Sequence, residues 1–246
     1  MLPLLRVALL AALCAAAGAD AQAAAADASA GAAAAFPAPP CYSNYNNDFE
    51  SFCFRVVAKG KSPAVVVREM APGLVRARFQ LTRQPLQPYA DALPVGIAGV
   101  LPYFVARRNG AGVLINRTVP FLIGLLGRPD PFWEVAMFLP ASDYPTPASA
   151  PDPETASTGV SLLSNATLRD LTAASAFSTP KVPSEADFRA ACKTLVDGLP
   201  AGYEVLPGAF PFWAIYSPEV SAVFENECII DVRRATAAPP MALRHR

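Results

Sequence analysis

The side chains best suited to proton transfer and metal binding are nearly absent from this chain. His245 is the only histidine of the 246 residues, and it lies in residues 233–246, a basic, alanine- and proline-containing run without periodicity. A Ser–His–Asp or Cys–His nucleophile needs a histidine inside the fold, as do zinc deaminase signatures and the two-histidine metalloprotease helix. No glycine-rich phosphate loop follows a strand; Gly-Leu-Leu-Gly at 124–127 reads as a turn. The carboxylate pairs Glu225/Glu227 and Asp152/Glu154 fall on expected strand ends or loops, with no aromatic sugar platform beside them. No acid–base pair can be named, and no catalytic residue is expected.

Cysteine and asparagine carry the remaining covalent chemistry. Residues 1–6 hold one positive charge, residues 7–17 are apolar, and small residues follow, the three-part pattern of a secretory signal peptide over 1–23. Its apolar run is shorter than the roughly 20 residues of a membrane span. Cys14 belongs to that signal. Cys41, Cys53, Cys192 and Cys228 remain, an even number that favours disulfides in an oxidising compartment. Three pairings are open; local closure would join Cys41 to Cys53 and Cys192 to Cys228. Two sequons make Asn116 and Asn165 glycosylation candidates, the first inside an expected strand and the second between strands. The expected location is extracellular or an endomembrane lumen.

The elements that must position these groups follow from composition and pattern. Twenty basic residues balance twenty acidic ones, and no basic stripe carries interleaved aromatics, so a nucleic-acid partner is not expected. Residues 24–40 read as a flexible Ala/Pro-rich leader, 41–232 as the folded domain and 233–246 as a disordered tail. Short β-branched runs at 52–57 and 64–68 flank a hairpin signal. In 74–81, Val75, Ala77 and Phe79 alternate with Arg76, Arg78 and Gln80, which predicts a strand with a solvated cationic outer face. A helix is expected over 91–108, capped by Asp91 and kinked or broken at Pro102, because an interior proline removes a hydrogen bond and costs ~3 kcal/mol. Residues 113–120 and 132–139 read as strands. Further strands are expected at 160–163, 168–177, 203–206, 212–216 and 227–232. Between them, Ser184 caps a helix with Phe188, Cys192, Leu195 and Val196 as its buried stripe, ended by Gly198. Strands, helix, strand, strand therefore occurs twice.

In this order the pieces resemble the SOUL haem-binding family, over residues 53 to 232. Val65-Val66-Val67-Arg68-Glu69 resembles its opening Y-E-V-R-R-Y strand. The stretch from Leu101 through Tyr103 to Asn109 resembles L-x-x-Y-I-x-G-x-N, and Ile115 to Pro120 resembles I-x-M-T-x-P-V. Trp133 to Pro140 with the prolines after it, then Tyr216-Ser217-Pro218 and Asn226-Glu227, resemble the family's later motifs. Cys41 and Cys53 resemble the N-terminal cysteines of secreted plant-type members.

The resemblance implies an α+β fold, a distorted antiparallel β-barrel built from two βαββ repeats with two flanking helices. It also implies a small flat amphipathic ligand, haem or another tetrapyrrole, in an apolar groove along the first helix. The positions matching the family's ligand-facing residues are Val95, Ala98, Pro102 and Tyr103, none of them basic. Arg107 and Arg108 lie one turn further on, placed to meet propionates by charge-assisted bonds, and Tyr103 is a candidate iron ligand. The alternative expectation is a non-haem interaction module that kept the barrel and lost the pocket.

Overall fold

The computed structural model describes residues 36–37, 40–43, 46–72, 74–82, 85–127, 129–153, 160–164, 171–216 and 223–235. The signal, nearly all of the leader, Glu154, Asn165 and residues 236–246 with His245 lie outside them. Thirteen strands and two α-helices are described: β1 (Cys41–Ser43), β2 (Asn46–Ser51), β3 (Phe54–Lys59), β4 (Val65–Met70), β5 (Val75–Leu81), α1 (Tyr89–Val105), β6 (Thr118–Val119), β7 (Phe121–Leu126), β8 (Phe132–Phe138), β9 (Val160–Ser164), β10 (Leu171–Thr179), α2 (Glu185–Asp197), β11 (Tyr203–Val205), β12 (Phe212–Ile215) and β13 (Phe224–Arg234). The class is α+β, mostly antiparallel sheet.

The main sheet runs β3-β4-β10-β13-β12-β7-β8-β5-β9, with β11 pairing on β13. The doubled order sits at its centre. In β5-α1-β7-β8 the last strand lies between the first and second, and β10-α2-β12-β13 repeats that arrangement. Both outer strands of each unit run antiparallel to the middle one and so parallel to each other. Parallel neighbours of this kind cannot be joined by a tight turn, and the helix supplies the crossover. Antiparallel pairing of β7 with β12, from Phe121↔Ile215 to Gly124↔Phe212, joins the two units. Strands β3 and β9 end the path without pairing to each other, so the sheet is open among the described residues.

Alternating side chains bury both faces. One face packs Val67, Ile123, Val135 and Met137 against Leu93, Val100 and Phe104 of α1 and Phe188 and Leu195 of α2. The neighbouring positions Leu122, Ala136 and Phe138 join Phe52, Met70, Leu74, Ala214 and Ile229 on the other face. Helix α1 lies close to the sheet because of its glycines: a Cβ at Gly96 would meet Val135 at 2.2 Å, and one at Gly99 would meet Phe79 at 2.5 Å.

Covering the second face changes the meaning of its charges. Arg76 is buried, and with Arg78 it converges on Glu134, at 3.4 and 3.0 Å, a carboxylate with no exposure. The expected solvated cationic face is therefore wrong: the other side of β5 faces a packed interior. Arg76 also stacks over Phe212 of β12 at 5.0 Å, three strands away. A flat sheet would hold those backbones roughly 14 Å apart with side chains standing parallel, so this face is concave. Arg68, Glu227 and Tyr216 form a second buried cluster there, with Arg68 Nη2 and the Tyr216 hydroxyl both donating to Glu227 Oε2 at 2.6 and 2.7 Å.

Other boundaries move for similar reasons. Of the strand expected over 113–120, only Thr118–Val119 forms. The chain continues through a cis Val119–Pro120 bond into β7, which takes in Gly124, Leu125 and Leu126 of the run read as a turn and leaves Gly127, at a φ of +88°, outside the strand. Strand β13 continues to Arg234, pairing Arg233 and Arg234 with Glu204 and Tyr203, so the ordered chain passes the expected domain end at 232. Val196, expected in the buried stripe of α2, is 49% exposed, and Ala191 is buried in that stripe instead.

The N-terminal arm is a small sheet. Strands β1 and β2 form a hairpin, β6 adds to it in parallel, and the Cys41–Cys53 disulfide closes its base. The second disulfide, Cys192–Cys228, ties α2 to β13. Of the three possible pairings, the local one is realised.

Candidate ligand-binding face

Helix α1 lacks the local signals that usually start and stop a helix. Pro88 stands at its N-cap without a side-chain hydrogen bond, and Asp91, expected as the cap, sits in the first turn, where its charge suits the helix dipole. Two interior prolines, Pro94 and Pro102, leave the carbonyls of Ala90 and Ala98 without their usual amide donors. Both alanines are exposed, so water can take the place of those donors. Of the kink or break expected at Pro102, the break does not occur. The helix runs on to Val105, and the Pro102 carbonyl accepts from the amides of Ala106 and Arg108 at 3.1 and 3.2 Å, closing the end.

Helical geometry then sorts the matched residues onto opposite sides. Ala92, Gly96, Val100 and Tyr103 recur at spacings of four, four and three and are buried against the sheet. Val95, Ala98, Pro102 and Val105, at spacings of three, four and three, lie on the outer side. Val95 is 47% and Val105 43% exposed, Ala98 is exposed and Pro102 half-buried. Asp91, exposed and four residues before Val95 on the same side, is the one charged residue of the helix, so this outer face is apolar from Val95 to Val105.

Tyr103 is not on that face. It is 1% exposed, its ring meets Phe104 edge-on at 5.3 Å, and its hydroxyl donates to the carbonyl of Pro151 at 2.6 Å. Burial, with Tyr144 and Asp152 nearby, pushes its ionisation well above the ordinary tyrosine value. Tyr103 therefore points away from the outer face of α1, and its hydroxyl anchors the helix end to the loop that follows β8.

Beyond the helix, Arg107 and Arg108 are exposed, and their guanidinium groups make no hydrogen bond or ion pair among the described residues. Arg107 has φ of +56°, a left-handed backbone that non-glycine residues seldom adopt. Asn109 holds the reversal. Its buried amide donates to the carbonyls of Tyr103 and Val113 at 3.0 and 2.8 Å and accepts from the Val113 amide at 3.1 Å. The tyrosine and asparagine of the family-like motif are thus structural here, and they present the two arginines.

The apolar surface does not stop at Val105. A groove of about 550 Å³ is lined by Val105, Leu114, Phe49 and Ile115, with Glu50, Asn116 and Ser142 among its polar groups. Leu114 is 58% exposed. The residue pattern places Val113 and Leu114 in a strand; instead, Asn109 pulls the chain into an irregular loop that leaves both at the surface. The only signal for this in the sequence is Asn109-Gly110, which reads as a helix stop.

The described residues contain no cluster of three or more His, Cys, Asp or Glu able to hold a metal ion. Glu227, half of one carboxylate pair noted in the sequence, is committed to Arg68 and Tyr216, while Glu225 accepts from Ser178. The chain matches no model of a known protein family and none of the curated proteins with which it was compared.

Proposed function

We propose that this protein binds a flat, largely apolar ligand carrying carboxylates, haem or another tetrapyrrole, on the outer face of α1. The observation that carries this reading is the continuous apolar face of Val95, Ala98, Pro102 and Val105, leading to Arg107 and Arg108, which are unpaired among the described residues. Apolar contact supplies the affinity, at about 25 cal/mol per Å² removed from water. Exposed ion pairs contribute at most about 1 kcal/mol each, so the arginines orient the carboxylates more than they hold the ligand. The residues fit a porphyrin plane and its propionates. They offer the iron no ligand on this face, so any iron chemistry belongs to the bound group alone.

The resemblance to the SOUL family agrees with this reading, and the concave face beneath Arg76 and Phe212 supports a barrel-like closure of the sheet. Two disulfides fit an extracellular or luminal compartment, and no described helix is long and apolar enough to cross a membrane.

Titrating the full, oxidised chain with haem and with iron-free protoporphyrin tests the proposal. Both should bind in the micromolar range with similar affinity, Tyr103→Phe should leave the Soret band unchanged, and Val95→Asp should weaken binding about tenfold, ~1.4 kcal/mol. No spectral change with either porphyrin would overturn the reading in favour of a protein-docking face.

A further inference from the structure

Asn116 lies on the irregular stretch between α1 and β6, exposed, with no hydrogen bond to its side chain among the described residues, and it lines the groove beside Val105 and Leu114. Its sequon partner Thr118 is in a different state: 2% exposed, with its hydroxyl donating to the carbonyl of Phe138. We propose that Asn116 is N-glycosylated before the chain folds, and that the first sugar of the glycan occupies this groove.

The surroundings suit a sugar. Phe49 and Leu114 offer apolar surface to the ring's C–H groups, and Glu50 and Ser142, already hydrogen-bonded to each other at 2.8 Å, stand at the rim as polar partners for its hydroxyls. A glycan on Asn116 begins inside the groove and needs no further chain to reach it. In the reaction the side-chain amide nitrogen displaces a lipid diphosphate from the anomeric carbon of an oligosaccharide donor. One N–C bond forms, one C–O bond breaks, and the amide gives up a proton as the lipid diphosphate leaves. Thr118 must be readable by the transferring enzyme, and in the folded protein it is buried under β8. Modification therefore precedes folding, whereas the folded state must only tolerate the product, which an exposed Asn116 does.

The proposal rests on the luminal reading of the compartment but not on porphyrin binding. The test is expression of the full chain in a glycosylating secretory cell, with intact mass measured for wild type and Asn116→Gln and with the two cysteine pairs checked for oxidation. The expected result is secretion of both chains, oxidised, with the variant lighter by one glycan. Hydrogen exchange of residues 112–117 and 46–51 should be slower in the glycosylated protein than in Asn116→Gln. Oxidised, secreted chains of equal glycan content would overturn glycosylation at Asn116 and leave the compartment intact. Equal exchange rates would overturn the seating of the sugar in the groove. A chain that stays reduced in the cytosol would overturn both the site and the compartment.

Discussion

Tyr89, Tyr103 and Tyr216 hold their hydroxyls away from water, in three different settings. Tyr103 donates to Pro151 and Tyr216 to Glu227, while the Tyr89 hydroxyl has no hydrogen-bond partner among the described residues. Burial raises all three above their ordinary value of 10.0, helped at Tyr216 by the Glu227 charge. A raised folded value means that the stability these groups contribute is complete below pH 10.0 and is lost as pH climbs through the folded value. Absorbance titration of the native protein should therefore show a subset of tyrosines that ionise only as the chain unfolds in strong alkali; full, reversible titration at the ordinary value would contradict their burial. The identity of these residues is plain in the sequence, but their direction is not. Tyr103 matches a ligand-facing position of the resembled family, as its neighbour Pro102 does, yet a step of about 100° around the helix separates the two sides.

Helices α1 and α2 show two ways of making a helix. In α2 the start is written locally: the Ser184 amide donates to Asp187 at 2.8 Å, the Asp187 amide returns to the Ser184 hydroxyl, and Gly198 closes the other end. That box is legible in the residue types and spacing alone, down to the capping serine. Helix α1 has no side-chain cap and two interior prolines, and it persists because Leu93, Val100 and Phe104 are packed on the sheet. The helix is not broken at Pro102, because tertiary contact overrides the local rule against an interior proline. Replacing Pro102 with alanine restores a donor to the Ala98 carbonyl. Denaturant unfolding should then show a gain of about 1–3 kcal/mol, the upper end being the full proline penalty. Porphyrin affinity should stay within about twofold, since an apolar side chain remains at the position.

At the scale of the whole molecule, β13 gathers the fold. It pairs with β10, β11 and β12, carries Glu227 into the buried cluster with Arg68, and is tied to α2 through Cys228. The Cys192–Cys228 bond spans a separation of 36 residues and the Cys41–Cys53 bond one of 12. Constraint of the unfolded chain grows with loop length, to about 4 kcal/mol for the longer and about 3 kcal/mol for the shorter. Cys192→Ala with Cys228→Ala should thus lower unfolding stability more than the Cys41/Cys53 pair of changes, as measured by chemical denaturation. The reverse order would place the stabilising weight in the N-terminal arm.

Sequence by itself determined the doubled strand-helix-strand-strand order, the even set of four cysteines and the capped helix α2, each written in local chemistry: alternation, helical spacing, caps and counts. The α+β class and the candidate positions Val95, Ala98 and Pro102 came instead from the resemblance to a known family. Tertiary structure alone decided the disulfide pairing, the inward turn of Tyr103, the burial of Arg76 beside Glu134 and the exposure of Leu114 and Asn116. Those outcomes depend on what covers a surface. Alternation along β5 says that Arg76 and Val75 face opposite ways, but whether water or Phe212 meets the arginine is settled by strands more than a hundred residues away.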